Sequence, residues 1–156
     1  MKIDFHAHAF PKEFFFQLKE YYPNDTVLRE DAQGRLVAVW AGTPLPAWDH
    51  GQRVEEMTKA GVDIEILSTP SIYIRVDEHS PALCRLVNDT FAESCRQSPE
   101  RFKAFANIPF NSMEDALSEL RRALALPGFV GVIDIIRNSD LRPKFSGKMH
   151  RKPYFR

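Results

Sequence analysis

Three apolar runs constrain this chain more than anything else in it: VDIEILST at 62–69, FKAFANI at 102–108 and FVGV at 129–132. Pro70 and Pro109 stop the first two, and a stretch of helical spacing separates each run from the next. Leu83, Val87, Phe91 and Cys95 recur every fourth residue after Ser80-Pro81. Leu117, Leu120 and Leu124 follow Ser112, which has the spacing of a capping box with Asp115, and Gly128 ends that helix. Apolar strands alternating with helices of this length predict a parallel sheet with right-handed crossovers. With the N-terminal run the count is four strands and three crossover helices. An open sheet and part of a closed barrel both fit, because a closed eightfold barrel needs twice as many units and about 250 residues.

Before the first crossover the pattern is different. KEFFFQLKEYY at 12–22 predicts a helix whose buried stripe holds Phe14, Leu18 and Tyr21 or Tyr22. Residues 26–30 and 35–40 predict a small β-hairpin around 31–34, and proline-rich 42–48 predicts a loop leading to Asp49. Asp49 and Gln52 have capping spacing; Val54, Met57 and Ala60 form the buried side of the next helix, and Gly61 is its left-handed cap.

The chain opens MKIDFHAHAFP. In a strand, residues 4, 6 and 8 share one face, so Asp4, His6 and His8 form a polar row with Ile3 and Phe5 on the other face. Two imidazoles one residue apart can converge on one divalent cation, being neutral, ligand-ready bases near pH 7. Phe10-Pro11 stops the strand and leaves the pair at its C-terminal mouth, where α/β folds keep their chemistry. A bare His-x-His is short, and two ordinary histidines also fit it. His50, His79 and His150 are read as loop or tail residues, either completing the site or merely solvated. Glu65 lies inside an apolar run, either facing a barrel interior near the metal or standing as a paired or edge-exposed carboxylate.

Residues 1–133 hold fourteen Lys/Arg against nineteen Asp/Glu, whereas 134–156 hold seven against two, so a formal charge of zero hides two kinds of sequence. Cys84 and Cys95 fall in one helix, where eleven residues at about 1.5 Å each keep them about 16 Å apart and unable to pair. No run approaches a membrane helix and the N-terminus lacks signal-peptide features, so a cytoplasmic location is expected.

Several stretches together carry a family resemblance: MKIDFHAHAFPKE, then AWDHGQRVEEMTKAGVDIEILSTPS, then the Asn88-Asp89 helix followed by PERFKAFANIPF, then ALSELRRALALPGFVGV. In this order they resemble the amidohydrolase-related (amidohydrolase 2) decarboxylases. That branch of the metal-dependent hydrolases includes the aminocarboxymuconate semialdehyde and γ-resorcylate decarboxylases. The resemblance spans residues 1 to about 132. It implies a distorted (β/α)₈ barrel of which this chain supplies roughly the first four units, 1–133, with a hairpin insertion at 26–40. It further implies that His6 and His8 are first-strand ligands of one divalent ion, zinc in most members and manganese in some. The family's further histidines, from strands five and six, and its aspartate, from strand eight, have no counterpart here. Asp4 is expected as a hydrogen-bond partner of the ligating rings, and Thr69 and Pro70, with Ser71, as lining of the substrate pocket. The aminocarboxymuconate enzyme binds a substrate carboxylate with an arginine of its insertion; the corresponding run here, RLVAVWAGTPLPAW, has no arginine near that point, although Arg35 begins it, which counts against that substrate.

The expected activity is non-oxidative decarboxylation of a small carboxylated aromatic or dienoic compound. Metal-dependent hydrolysis of an ester, lactone or amide is the alternative. A third reading is a truncated half-barrel without activity, pairing as a homodimer through its open edge. The basic segment 134–156 departs from the family pattern and reads as a frame-shifted end, with a nucleic-acid-binding tail as the lesser alternative.

Overall fold

The computed structural model describes residues 1–40 and 42–133. The divergent stretch 134–156, His150 included, lies outside the described residues. Four parallel strands, β1 (Ile3–His8), β5 (Ile64–Ser68), β6 (Phe102–Ala106) and β7 (Phe129–Val132), form a sheet in the order β1-β5-β6-β7. Strand order follows chain order without reversal. With right-handed crossovers that sequence of neighbours puts every connecting helix on one face, the arrangement of a barrel wall; a doubly wound open sheet reverses direction midway. The choice that periodicity left open is thus made by topology.

The connecting helices are α2 (His50–Ala60), α3 (Ser80–Gln97) and α4 (Met113–Leu124), and α1 (Lys12–Tyr21) precedes them. Local chemistry starts and stops them. Asp49 accepts from the Gln52 backbone N–H at 2.8 Å and Ser112 from that of Asp115 at 3.0 Å, while Gly61 closes α2 at φ 64°. Gly128, at φ 82°, is required twice over, because a Cβ there would sit 2.4 Å from Cys95 Cβ.

The core fills the space between sheet and helices. Phe14, Phe15, Leu18, Met57, Leu67, Leu83, Val87, Phe91 and Phe102 are fully buried, each stabilising by about 1.5–3 kcal/mol. In α3 the expected Leu83, Val87, Phe91 and Cys95 all face inward. In α4 only Leu120 of the three leucines packs inward: Leu117 and Leu124 are exposed, and Glu119 and Ala123 are buried. The reason is a polar contact to α3, described below. Ala60 of α2 is also exposed, leaving Met57 as that helix's buried anchor.

Between α1 and α2 stands a separate antiparallel sheet, β2 (Thr26–Glu30), β3 (Leu36–Trp40) and β4 (Thr43–Pro46), in that order. The third strand replaces part of the expected loop; prolines signal a break in sequence, yet an edge strand tolerates them. Asp31 builds the β2–β3 turn by accepting from the backbone N–H groups of Gln33 and Arg35 and from Arg35 Nε. The insertion is clamped to the loop after β5. Arg75 pairs with Asp25 at 2.7 Å and lies over the rings of Tyr22 and Trp40, 4.6 and 5.0 Å from their centroids.

Candidate metal centre

β1 does not keep strict alternation. Asp4 is in register with Glu65, but Ala7 rather than His6 is in register with Leu67, so one extra residue is inserted between them. This bulge takes Asp4 out of the polar row expected from residues 4, 6 and 8. Asp4 stands beside Glu65, and its Oδ1 accepts from the His6 backbone N–H at 2.9 Å. His6 and His8 remain together, their ring centroids 4.5 Å apart and their planes tilted by 39°. Burial and the neighbouring His6 ring push the His8 imidazole below its ordinary pKa, which favours the neutral, ligating form. Spacing and protonation suit two ligands of one divalent ion.

No group of three His, Cys, Asp or Glu that could hold a metal exists among the described residues. His50 is not the loop residue expected. It begins α2, its Nε2 lies 3.0 Å from Ser98 Oγ, and its ring packs on Trp48 and Phe102. His79 stacks on Tyr21 at 4.1 Å. Neither joins the pair.

Thr69 and Pro70 are buried at the end of β5. The Thr69 hydroxyl donates to the Ala9 carbonyl at 2.6 Å, and the Thr69 carbonyl accepts from Asn107 Nδ2 at 2.5 Å. They brace the strand ends. Ser68, in register with His8, is fully buried, and its hydroxyl has no partner among the described residues.

A cleft of about 360 Å³ opens beside the pair, lined by His8, Phe10, Trp48, Arg35 and Arg53 with parts of β4 and α2. That volume suits a single-ring ligand. Arg35, remote from the histidines in sequence, reaches it because the segment after β4 returns to the end of β1, where Trp48 bridges Pro11 and its backbone N–H bonds the Phe10 carbonyl. Sequence reasoning placed Arg53 in a stretch that carries the family resemblance but gave it no role at the site. Its signal was Glu65, whose carboxylate inside a buried strand demands a cation: Arg53 Nε lies 3.6 Å from Glu65 Oε2. Burial pushes the Glu65 carboxyl up, with Arg53 opposing and Asp4 and Glu56 reinforcing the rise.

A second polar cluster lies across α3, β6 and α4. Asn88 Nδ2 donates to the Asn107 carbonyl and to Glu119 Oε1, and Asn88 Oδ1 accepts from the Asn107 backbone N–H. Arg122 grips Glu119 through Nε and Nη2, and Asp89 through Nη1. Burying Glu119 in this way turns α4 so that Leu117 and Leu124 face outward.

Comparison with known proteins adds the following. A family model described as Amidohydrolase matches residues 3–145. The 2-amino-3-carboxymuconate-6-semialdehyde decarboxylase of Dictyostelium discoideum is 28% identical over 142 residues, covering 85% of this chain and 39% of that protein. The γ-resorcylate decarboxylase of Rhodococcus jostii is 34% identical over 84 residues, 52% of this chain and 26% of its own length. Among solved structures, a dihydroxybenzoic acid decarboxylase from Polaromonas with bound manganese and the inhibitor 2-nitroresorcinol superposes with a TM-score of 0.58. It has 26% identity, and the match covers 84% of this chain and 37% of that one. The chain thus spans about two fifths or less of the length of these relatives. Among the described residues no helix is long and apolar enough to cross a membrane.

Proposed function

The chain belongs to the amidohydrolase family, and from that premise we propose that it carries the metal clip and part of the substrate pocket of a non-oxidative decarboxylase. The substrate is a small carboxylated aromatic or dienoic compound. One observation carries this reading: a cleft of single-ring size holds His8 and Arg35 on its walls together. His6 and His8 are two ligands of one divalent ion, zinc or manganese. When bound, the ion supplies Lewis-acid chemistry, drawing electron density from substrate oxygens. A catalytic zinc takes at least three protein ligands, so the rest of the set comes from outside the described residues.

The chain's own side chains have separate tasks. Arg35 offers its guanidinium to the substrate carboxylate, partly neutralised meanwhile by Asp31 at 2.7 Å. Phe10 and Trp48 give the ring apolar walls, while Thr69 and Pro70, expected to line the pocket, are buried outside the cleft's lining, where Thr69 ties the end of β5 to the end of β1. The carbon–carbon bond to the carboxylate breaks, carbon dioxide leaves, and the ring carbon takes a proton from a donor outside the described residues.

The test is to incubate the full chain with γ-resorcylate and either Mn²⁺ or Zn²⁺ and to follow carbon dioxide. Release that stops in Arg35→Met and His8→Ala supports the reading. Opening of a single-ring lactone to its acid, with no carbon dioxide from γ-resorcylate, makes the chain a hydrolase. Saturable binding without turnover, weakened about tenfold in Arg35→Met, retains the pocket assignment and makes the chain a ligand-binding part of a larger site.

A further inference from the structure

Arg53 sits in the first turns of α2, 45 residues along the chain from His8, yet its Nη2 donates to the His8 carbonyl at 3.0 Å. The same guanidinium faces Glu65 Oε2 at 3.6 Å, and Glu65 is 5% exposed. A planar guanidinium can serve a carbonyl and a carboxylate at once because its donors point along fixed directions; an ammonium has no such fork. The carbonyl it holds belongs to the residue where β1 ends. Upstream, the bulge between Asp4 and Ala7 interrupts the ladder, which resumes only at Ala7 and His8, the last residues of the strand. His8 thus lies between an irregular pairing and the end of its strand, and a side-chain bond from another element adds to the restraint on its backbone.

We propose that Arg53, backed by Glu65, is a positioning residue for the metal clip: it pins the His8 backbone so that both imidazoles are held at the spacing one cation requires. The assignment rests on the reading of His6 and His8 as ligands. It gives α2 a task beyond packing, and it accounts for a carboxylate at position 65 that an apolar residue would replace at no cost to the strand. The groups facing Glu65 fit the role. Arg53 and Glu56 come from α2, Asp4 from β1 and Arg101 from the turn before β6, so one acceptor meets two cations and two carboxylates, and Arg53 makes the ion pair.

The test is a Zn²⁺ titration of the full chain by calorimetry, with His-ring and backbone NMR spectra recorded alongside. His8→Ala defines the specific component. Arg53→Met is expected to lower Zn²⁺ affinity by about tenfold or more, the range seen when an outer partner of a metal ligand is lost. It also shifts the His8 carbonyl resonance, and Arg53→Lys recovers only part of the affinity. Arg53→Met alone strands the Glu65 charge and lowers stability, so the double variant Arg53→Met/Glu65→Gln is the decisive one. It is expected to recover thermal stability while Zn²⁺ affinity stays low, a split that a purely structural ion pair does not produce. Wild-type affinity in the folded double variant overturns the pin. Zn²⁺ binding that is absent in wild type, or unchanged in His8→Ala, overturns the ligand reading itself and the pin with it.

Discussion

The Asn88–Glu119 network and the His6–His8 mouth are built from similar side chains, amides, carboxylates and cations around the ends of the sheet strands. In the first, Asn88 uses both ends of its amide, Glu119 meets two Arg122 donors, and the residues that matter are buried. In the second, His6 and His8 are exposed, Ser68 keeps an unpartnered hydroxyl, and Arg35 and Arg53 border a cleft. Polar groups that satisfy one another fix the fold and have nothing left to bind with. Side chains left exposed at the mouth, as the rings of His6 and His8 are, keep their capacity for a ligand.

The contrast can be broken from either side. Glu119→Ala leaves Arg122 with Asp89 alone and one arm of buried Asn88 unpaired, and is expected to cost about 1–3 kcal/mol in urea unfolding, the usual penalty for a buried donor left without its acceptor. Zn²⁺ affinity, measured where that variant is still folded, should not change. His8→Ala reverses the pattern: specific Zn²⁺ binding is lost, while stability moves by only about 0.5 kcal/mol or less, as for an exposed site. Equal stability losses in the two variants would erase the distinction. The smallest effect belongs to Cys95. Burial pushes its thiol up to about 11 from 9.0, so its protonated form is favoured in the folded state. That contribution is complete below pH 9 and disappears as pH rises through about 11; at pH 7 it changes nothing. Thiol-reagent kinetics should therefore follow unfolding at pH 8, and a fast-reacting Cys95 would contradict its burial.

What was legible in the sequence is what neighbours along the chain determine. Asp49, Ser112 and Gly61 cap their helices by local bonds, α3 shows its buried face in a four-residue repeat, and His6 and His8 sit two residues apart. The family resemblance over residues 1–132 agrees with a family match at 3–145. What escaped depends on distant partners. The β1 bulge exists only in its pairing with β5, some sixty residues away. Arg53 meets His8 across 45 residues, and Arg35 reaches the cleft only once the insertion has folded back. In α4 the leucine spacing held for Leu120 but not for Leu117 and Leu124, since the buried face also takes Glu119, held by Asn88 and Arg122.

The proline pair in β4 has an effect on the protein's dealings with other chains. The Ala47 N–H donates to the Leu36 carbonyl, so amides of that parity turn toward β3 and positions 44 and 46 turn outward. Both are prolines, without an N–H to offer. An incoming strand would find no donors along that rim. The insertion is thereby guarded against edge-to-edge aggregation, and against templated fibre growth, by two rings at its border.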